Sequence, residues 1–140
     1  MVAIPVFPDA VDAWVTYLQD RLDPPVGGER NRNAPFVRVR RAGGGGGTKI
    51  TDNAQMIFES YGSYSDDAAR LANHTRAHVF AAAGTRLTAT VSCKTVTTVS
   101  EPADLPDPDA PELKRYTFTV LTALKAQLAE PEQLRGTATP

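Results

Sequence analysis

His74 and His78 stand four residues apart in the run HTRAH. On a helix that spacing puts both imidazoles on one face, as a metal grip requires. The glutamate that metalloproteases place after the first histidine is absent, and Arg76 adds positive charge between the two rings. Exposed or partner-facing histidines are the better reading. Five consecutive glycines, Gly43, Gly44, Gly45, Gly46 and Gly47, suggest a phosphate-binding loop. That loop needs Gly-Lys-Ser/Thr opening a helix, whereas here Thr48 precedes Lys49, Ile50 follows, and the next element reads as a strand. A flexible hairpin tip fits better. Cys93 is the single cysteine, alternating with Val91 on the apolar side of a strand pattern, so it reads as a small buried hydrophobe. Asp104, Asp107 and Asp109 resemble the spacing of a calcium loop but lack its glycine turn and closing glutamate. These residues specify no catalytic set, no metal site and no cofactor.

Charge is distributed unevenly. Residues 30–41 hold five arginines, Arg30, Arg32, Arg38, Arg40 and Arg41, with no acid, and residues 101–112 (EPADLPDPDAPE) hold five acids and four prolines with no base. The net charge is only −1, which argues against a uniformly basic nucleic-acid binder. Two segregated patches of opposite sign suit head-to-tail contact between copies, where they set register; pairing within one chain is the competing explanation. The expected contact residues are Arg38, Arg40 and Arg41, the glycines 43–47, and Asp104, Asp107 and Asp109.

The elements that must carry these groups can be read from periodicity. Val11, Trp14, Val15, Leu18 and Leu22 recur at helical spacing, with Asp9 as N-cap and Pro24–Pro25 as the stop. The span 26–35 reads as polar loop. Phe36–Arg41 and Ala54–Tyr61 alternate as two strands of a hairpin whose tip is the glycine run, too long a run to hold a regular element. Ser65 looks like the cap of a second helix with Asp66 and Asp67 in its first turn, ended by Gly84. Alternation from Leu87 through Cys93 toward Val99, and from Tyr116 to Leu124, gives two more strands. The expected fold is α+β, a mostly antiparallel four-stranded sheet with two helices packed on one face, in the order α-β-β-α-β-β. Residues 1–8 and 126–140 would be extended arms of a single domain spanning 1–140. At 140 residues the chain can bury a sizeable core. One cysteine excludes an internal disulfide, no apolar run is long enough for a membrane helix, and the start MVAIPVFPDA lacks a signal peptide's basic region.

Several segments, taken in order, carry a resemblance: IPVFPDAVDAWVTYLQDRL, FVRVRRAGG, ITDNAQMIFESYG, SDDAARLA, and LPDPD followed by RYTFTV. Together, over about residues 4 to 125, they resemble the tail-terminator proteins of long-tailed (siphovirus-type) actinobacterial phages. The resemblance implies a virion structural protein, not an enzyme. Its subunits form a six-membered ring at the head–tail junction, which caps the tail tube, ends its polymerisation and offers the attachment surface for the DNA-filled head. The implied partners are further copies of the chain, the major tail-tube protein on one side and a head-to-tail stopper or connector on the other. Phage DNA passes through the lumen without specific binding, and no membrane is involved. The implied location is the top of the tail in the virion, and the host cytoplasm during assembly. Alternatives are a head-to-tail stopper or connector, a minor tail-tube protein, or, more remotely, a small enzyme. In a ring, exposed sheet edges would be covered by neighbours. Replacing Arg38, Arg40 and Arg41 by glutamate is then expected to weaken the ring and leave the monomer folded.

Overall fold

A computed structural model of the chain describes residues 2–136. The first helix, α1 (Ala10–Gln19), begins where Asp9 accepts the Asp12 N–H at 3.1 Å, satisfying one of the helix's orphan amides. Trp14 and Leu18 of the expected stripe are buried, with Val11 and Val15 packed at the margin of the core. Past the helix, Gln19 fastens the Pro24–Pro25 turn: its amide donates to the Pro24 carbonyl and its oxygen accepts the Val26 N–H.

The long strands are β3 (Phe36–Gly44), β4 (Thr51–Gly62), β6 (Ser92–Asp104) and β7 (Lys114–Lys125). Two-residue strands flank them, β2 (Val26–Gly27) and β5 (Thr85–Arg86), and the sheet order is β2-β3-β4-β7-β6-β5. The sheet is therefore six-stranded and not four-stranded. It is also mixed, because β2 runs parallel to β3 while every other pair is antiparallel. A separate two-stranded sheet joins β1 (Ile4–Val6) to β8 (Gln127–Ala129). The expected order α-β-β-α-β-β is overturned on these counts. The cause is that strands of two or three residues carry too little alternation to register in a sequence; β2 and β5 exist because a long neighbour offers an unpaired edge, and β1 and β8 because they meet each other. Residues 4–6 and 127–129, expected within extended arms, are thus paired with each other; residues 137–140 of the expected C-terminal arm lie outside the described residues.

Boundaries shift for identifiable reasons. Gly43 and Gly44 belong to β3, so only the later glycines form the tip. Gly44 has φ +144° at a β-bulge, and a Cβ there would run into the Asn53 carbonyl. The alternating run 87–91 is not strand. Leu87 donates to the Val91 carbonyl, and the Thr88 hydroxyl accepts the N–H groups of Thr90 and Val91, closing a turn whose apolar ends are buried. Conversely β6 runs on through Glu101–Asp104, expected as loop, because bulges let an edge strand absorb Pro102.

The second helix, α2 (Ser65–Ala81), takes Tyr64 rather than Ser65 as its cap residue, with no side-chain cap bond. It starts immediately behind β4: a Cβ on Gly62 would stand 2.8 Å from the Ala68 nitrogen. Val37, Val39, Ala54, Met56, Phe58, Phe118, Val120 and Leu124 form one face of the sheet and share a core with α1 and α2. Trp14 stands edge-on to both Tyr17 and Phe58, and Phe58 stacks on Phe118 across the central strand pair. Phe58→Ala removes the middle ring of that stack and is expected to cost ~3–5 kcal/mol. The sole tryptophan, fully buried in the same cluster, supplies the readout: its emission in a urea titration should show a lower midpoint and an unfolding free energy reduced by that amount.

Candidate protein-interaction surface

The sheet face away from the helices is where the two charge patches meet. Strand alternation puts Arg38 and Arg40 of β3 on this face, and the register sets Arg38 directly opposite Glu59 of β4. Glu59 is 2% exposed and is reached by three guanidinium groups: Arg115 at 2.9 Å, Arg40 at 3.3 Å and Arg38 at 3.8 Å. Its Oε1 has no hydrogen-bond partner among the described residues.

Arg115 couples this carboxylate to the acidic loop. Its remaining donors go to the carbonyls of Leu105 and Pro106, which fold the loop back over the strand ends. Asp107, 3% exposed, lies beneath and accepts from the Tyr61 hydroxyl at 2.7 Å, from Arg30 at 2.8 Å and from the Asp109 N–H at 3.0 Å. Arg30 also reaches Asp109, and Tyr61 is held from its other side by the stacked ring of Phe36. Burial alone would push the Asp107 carboxyl up; the bonds from Tyr61, the Asp109 amide and Arg30 outweigh it and hold the group below the ordinary carboxylate range. Burial, with Asp107 as a second cause, raises the Tyr61 phenol.

Much of the basic stretch is therefore paired within the chain. Arg30 meets Asp107 and Asp109, Arg38 and Arg40 meet Glu59, and Arg41 makes a two-pronged contact with Asp52 at 2.7 Å on each arm while donating to the Gly43 carbonyl. Arg41 thus braces the base of the glycine tip, where Gly45, Gly46 and Gly47 are exposed. Of the expected contact residues, Asp107 is sealed inside, whereas Asp104 and Asp109 face solvent. The charge excess around Glu59 stays positive, with Arg40 45% exposed at its margin.

Sequence reasoning missed Glu59 and Tyr61. In an alternating strand both fall in one phase, and a lone acid in that phase reads as solvent-facing. His74 and His78 border an open groove of about 390 Å³ between α2 and the segment 21–24 that follows α1, shared with Arg21, Asp67 and Arg70. No trio of His, Cys, Asp or Glu among the described residues is placed to hold a metal ion. Cys93 is buried, its thiol pushed up to about 11 by burial, so it is not primed as a nucleophile. Among the described residues no helix is long and apolar enough to cross a membrane. No family model matches the chain, and no curated protein matches it.

The folded Asp107 carboxyl titrates below its unfolded value of 3.8. Its contribution is therefore complete above that value and is lost as pH falls through the lower, folded one. Asp107→Asn is expected to lower stability by roughly 1–3 kcal/mol at neutral pH. The gap between wild type and variant should close on acidification below about pH 4. Urea midpoints across that range decide it; a gap independent of pH would refute the assignment.

Proposed function

We propose that the chain is a virion structural subunit of the tail-terminator type, a ring protein at the head–tail junction. It would cap the tail tube, end the tube's growth and offer the docking surface for the filled head. The observation that carries the reading is the ordered set of segments resembling such proteins. Those segments coincide with the working parts of the fold: β1 and α1, β3, β4, the start of α2, the loop 105–109 and β7. They include Arg38, Arg40, Glu59, Asp107 and Arg115, so the same segments that build the core also build the charge network. Further support comes from surface left available at opposite ends of the strands, the glycine tip at one and the exposed acids Asp104 and Asp109 at the other. Further copies of the chain, the major tail-tube protein and a stopper or connector are the partners this reading assigns.

Geometry changes how the reading is tested. Replacing Arg38, Arg40 and Arg41 together by glutamate would set like charges beside the buried Glu59 and beside Asp52, so that variant should lose the monomer as well as any ring. Asp104 is exposed and outside the network, so Asp104→Lys should leave the stability read by urea unfolding unchanged within about 0.5 kcal/mol. It should still weaken assembly onto purified tail tubes, read by co-sedimentation; full binding would remove the acidic loop from the contact. The location is tested by negative-stain microscopy of virions carrying antibody to this chain. Label confined to a collar between head and tail is expected. Label along the whole tube would make the chain a tube subunit, and unlabelled virions would overturn the reading. A collar protein that binds the connector below the portal but not tube ends would be a stopper.

A further inference from the structure

Three lysines gather at one end of the sheet without acidic partners. Lys49, Lys94 and Lys125 are exposed, and none has an ion pair among the described residues. They converge on Thr51, the first residue of β4. Lys125 stands opposite Thr51 in the β4–β7 register, and the Lys94 ammonium donates to the Thr51 hydroxyl at 3.4 Å, so both lie on the sheet face away from the helices. Lys49 sits in the turn that leads into Thr51, where the Thr48 hydroxyl accepts the N–H groups of Ile50 and Thr51. Ile50 is 52% exposed beside them, its carbonyl accepting the Ala126 N–H. The neighbouring acid, Asp52, is already taken by Arg41.

The other end of β7 carries the opposite chemistry. The acidic loop leaves the sheet at Asp104, opposite Tyr116, and returns through Glu112, two residues before Lys114 opens β7. Asp104 and Glu112 are exposed and have no ion pair among the described residues, and Asp109 is 74% exposed even while Arg30 reaches it. Leu105 is 50% exposed among them. Lys114 opposes these acids without outnumbering them. From Tyr116 to Lys125 the strand spans about 30 Å, so the two patches cannot meet within one chain.

We propose that these patches meet between copies of the chain, head to tail: the end of one copy that carries Lys49, Lys94 and Lys125 docks on the Asp104–Glu112 loop of the next. Charge selects the partner, and each patch sets one half-exposed apolar residue, Ile50 or Leu105, among its charges. The contact can therefore bury apolar surface inside a rim of ion pairs. A phosphate backbone would match the lysines but leave Ile50 against a polar chain, and the net charge of −1 disfavours non-specific nucleic-acid binding. The lysines thus take the role that the internally paired arginines do not. Contact between unlike ends is heterologous, so it closes a ring or continues as a filament according to the rotation it imposes. The inference rests on the ring reading above for its homo-oligomer and deepens it by naming the contact between copies. It is tested on purified chain, apart from any tail.

Zero-length carbodiimide coupling joins an ammonium to a carboxylate only where the two touch. Peptides holding Lys49, Lys94 or Lys125 should be recovered coupled to the peptide 101–112, in species of two or more chains that high salt abolishes. Lys49→Glu, Lys94→Glu and Lys125→Glu together give a chain acidic at both ends, and Asp104→Lys with Glu112→Lys gives one basic at both. Each variant should be a monomer by size-exclusion chromatography with light scattering at a submillimolar concentration where the wild type assembles, with circular dichroism and urea midpoint unchanged. An equimolar mixture of the two should assemble again, because every end of one then meets a complementary end of the other. A wild type that stays monomeric and uncoupled, assembly that survives either variant, or a mixture that stays monomeric would each overturn the contact. A monomeric wild type that binds a short DNA duplex, with binding lost in the lysine variant, would make the patch a nucleic-acid surface instead. Failure here with the antibody still confined to the collar would refute this contact and leave the location standing.

Discussion

A single carboxylate, that of Glu59, governs the sheet face away from the helices. A buried anion with one partner is a liability, because desolvating it costs several kcal/mol that one contact seldom returns. Three arginines solve this from two sides: Arg38 and Arg40 come from β3 on one side of β4, and Arg115 comes from β7 on the other. Arg38 gives a further donor to the Gly28 carbonyl, and Arg115 gives two, to the carbonyls of Leu105 and Pro106. The acidic loop is thereby hung from the same guanidinium that neutralises the strand. Asp107 then acts as the loop's inward anchor under Tyr61, and Arg30 ties the otherwise irregular segment ahead of β3 to it. Glu59 thus links β3, β4, β7, the 105–113 loop and the 28–35 segment into one electrostatic unit.

This arrangement changes what the segregated charge blocks mean. In sequence, a basic stretch and an acidic stretch in a near-neutral chain suit contact between copies or contact within one copy. The network absorbs most of the basic block internally, and what it leaves at the surface is a smaller positive margin at Arg40 and exposed acids at Asp104 and Asp109. Any partner using this face therefore meets a pre-formed, rigid pattern. Charges already held by neighbours lose less side-chain entropy on binding than free ones.

Legibility in the sequence followed element length and locality. The first helix could be read down to its capping aspartate because its apolar stripe repeats over three turns and Asp9 lies next to it. The central strands were legible because eight or nine residues of alternation, over 54–61 and 116–124, outvote a single deviant. Short strands were not: Val26–Gly27 and Gln127–Ala129 have no pattern of their own and are strands only through the partners they meet. The turn at 87–91 misled for the opposite reason, since Leu87 and Val91 are apolar at strand spacing but are buried as the two ends of a threonine-closed turn. The site was the least legible part. Arg30 and Asp107 are 77 residues apart, and neither type nor spacing in either segment announces the other. Glu59 stands in an ordinary alternating strand, where an acid is the usual mark of the wet face.

The pairing of β4 with β7 bears on how the chain reaches this structure. The β3–β4 and β6–β7 pairs are close in sequence and can each zip locally, but the seam between them joins strands separated by the whole of α2, β5 and β6. Closing that seam fixes a long loop before Phe58 stacks on Phe118 or Arg115 finds Glu59, so most of the reward arrives late. Two hairpin halves forming early and docking slowly is the order of events this topology favours. Until they dock, the halves keep Glu59 exposed to water, where its charge costs nothing. The buried ion cluster is thus a seal set at the final step of folding and not a nucleus around which folding begins.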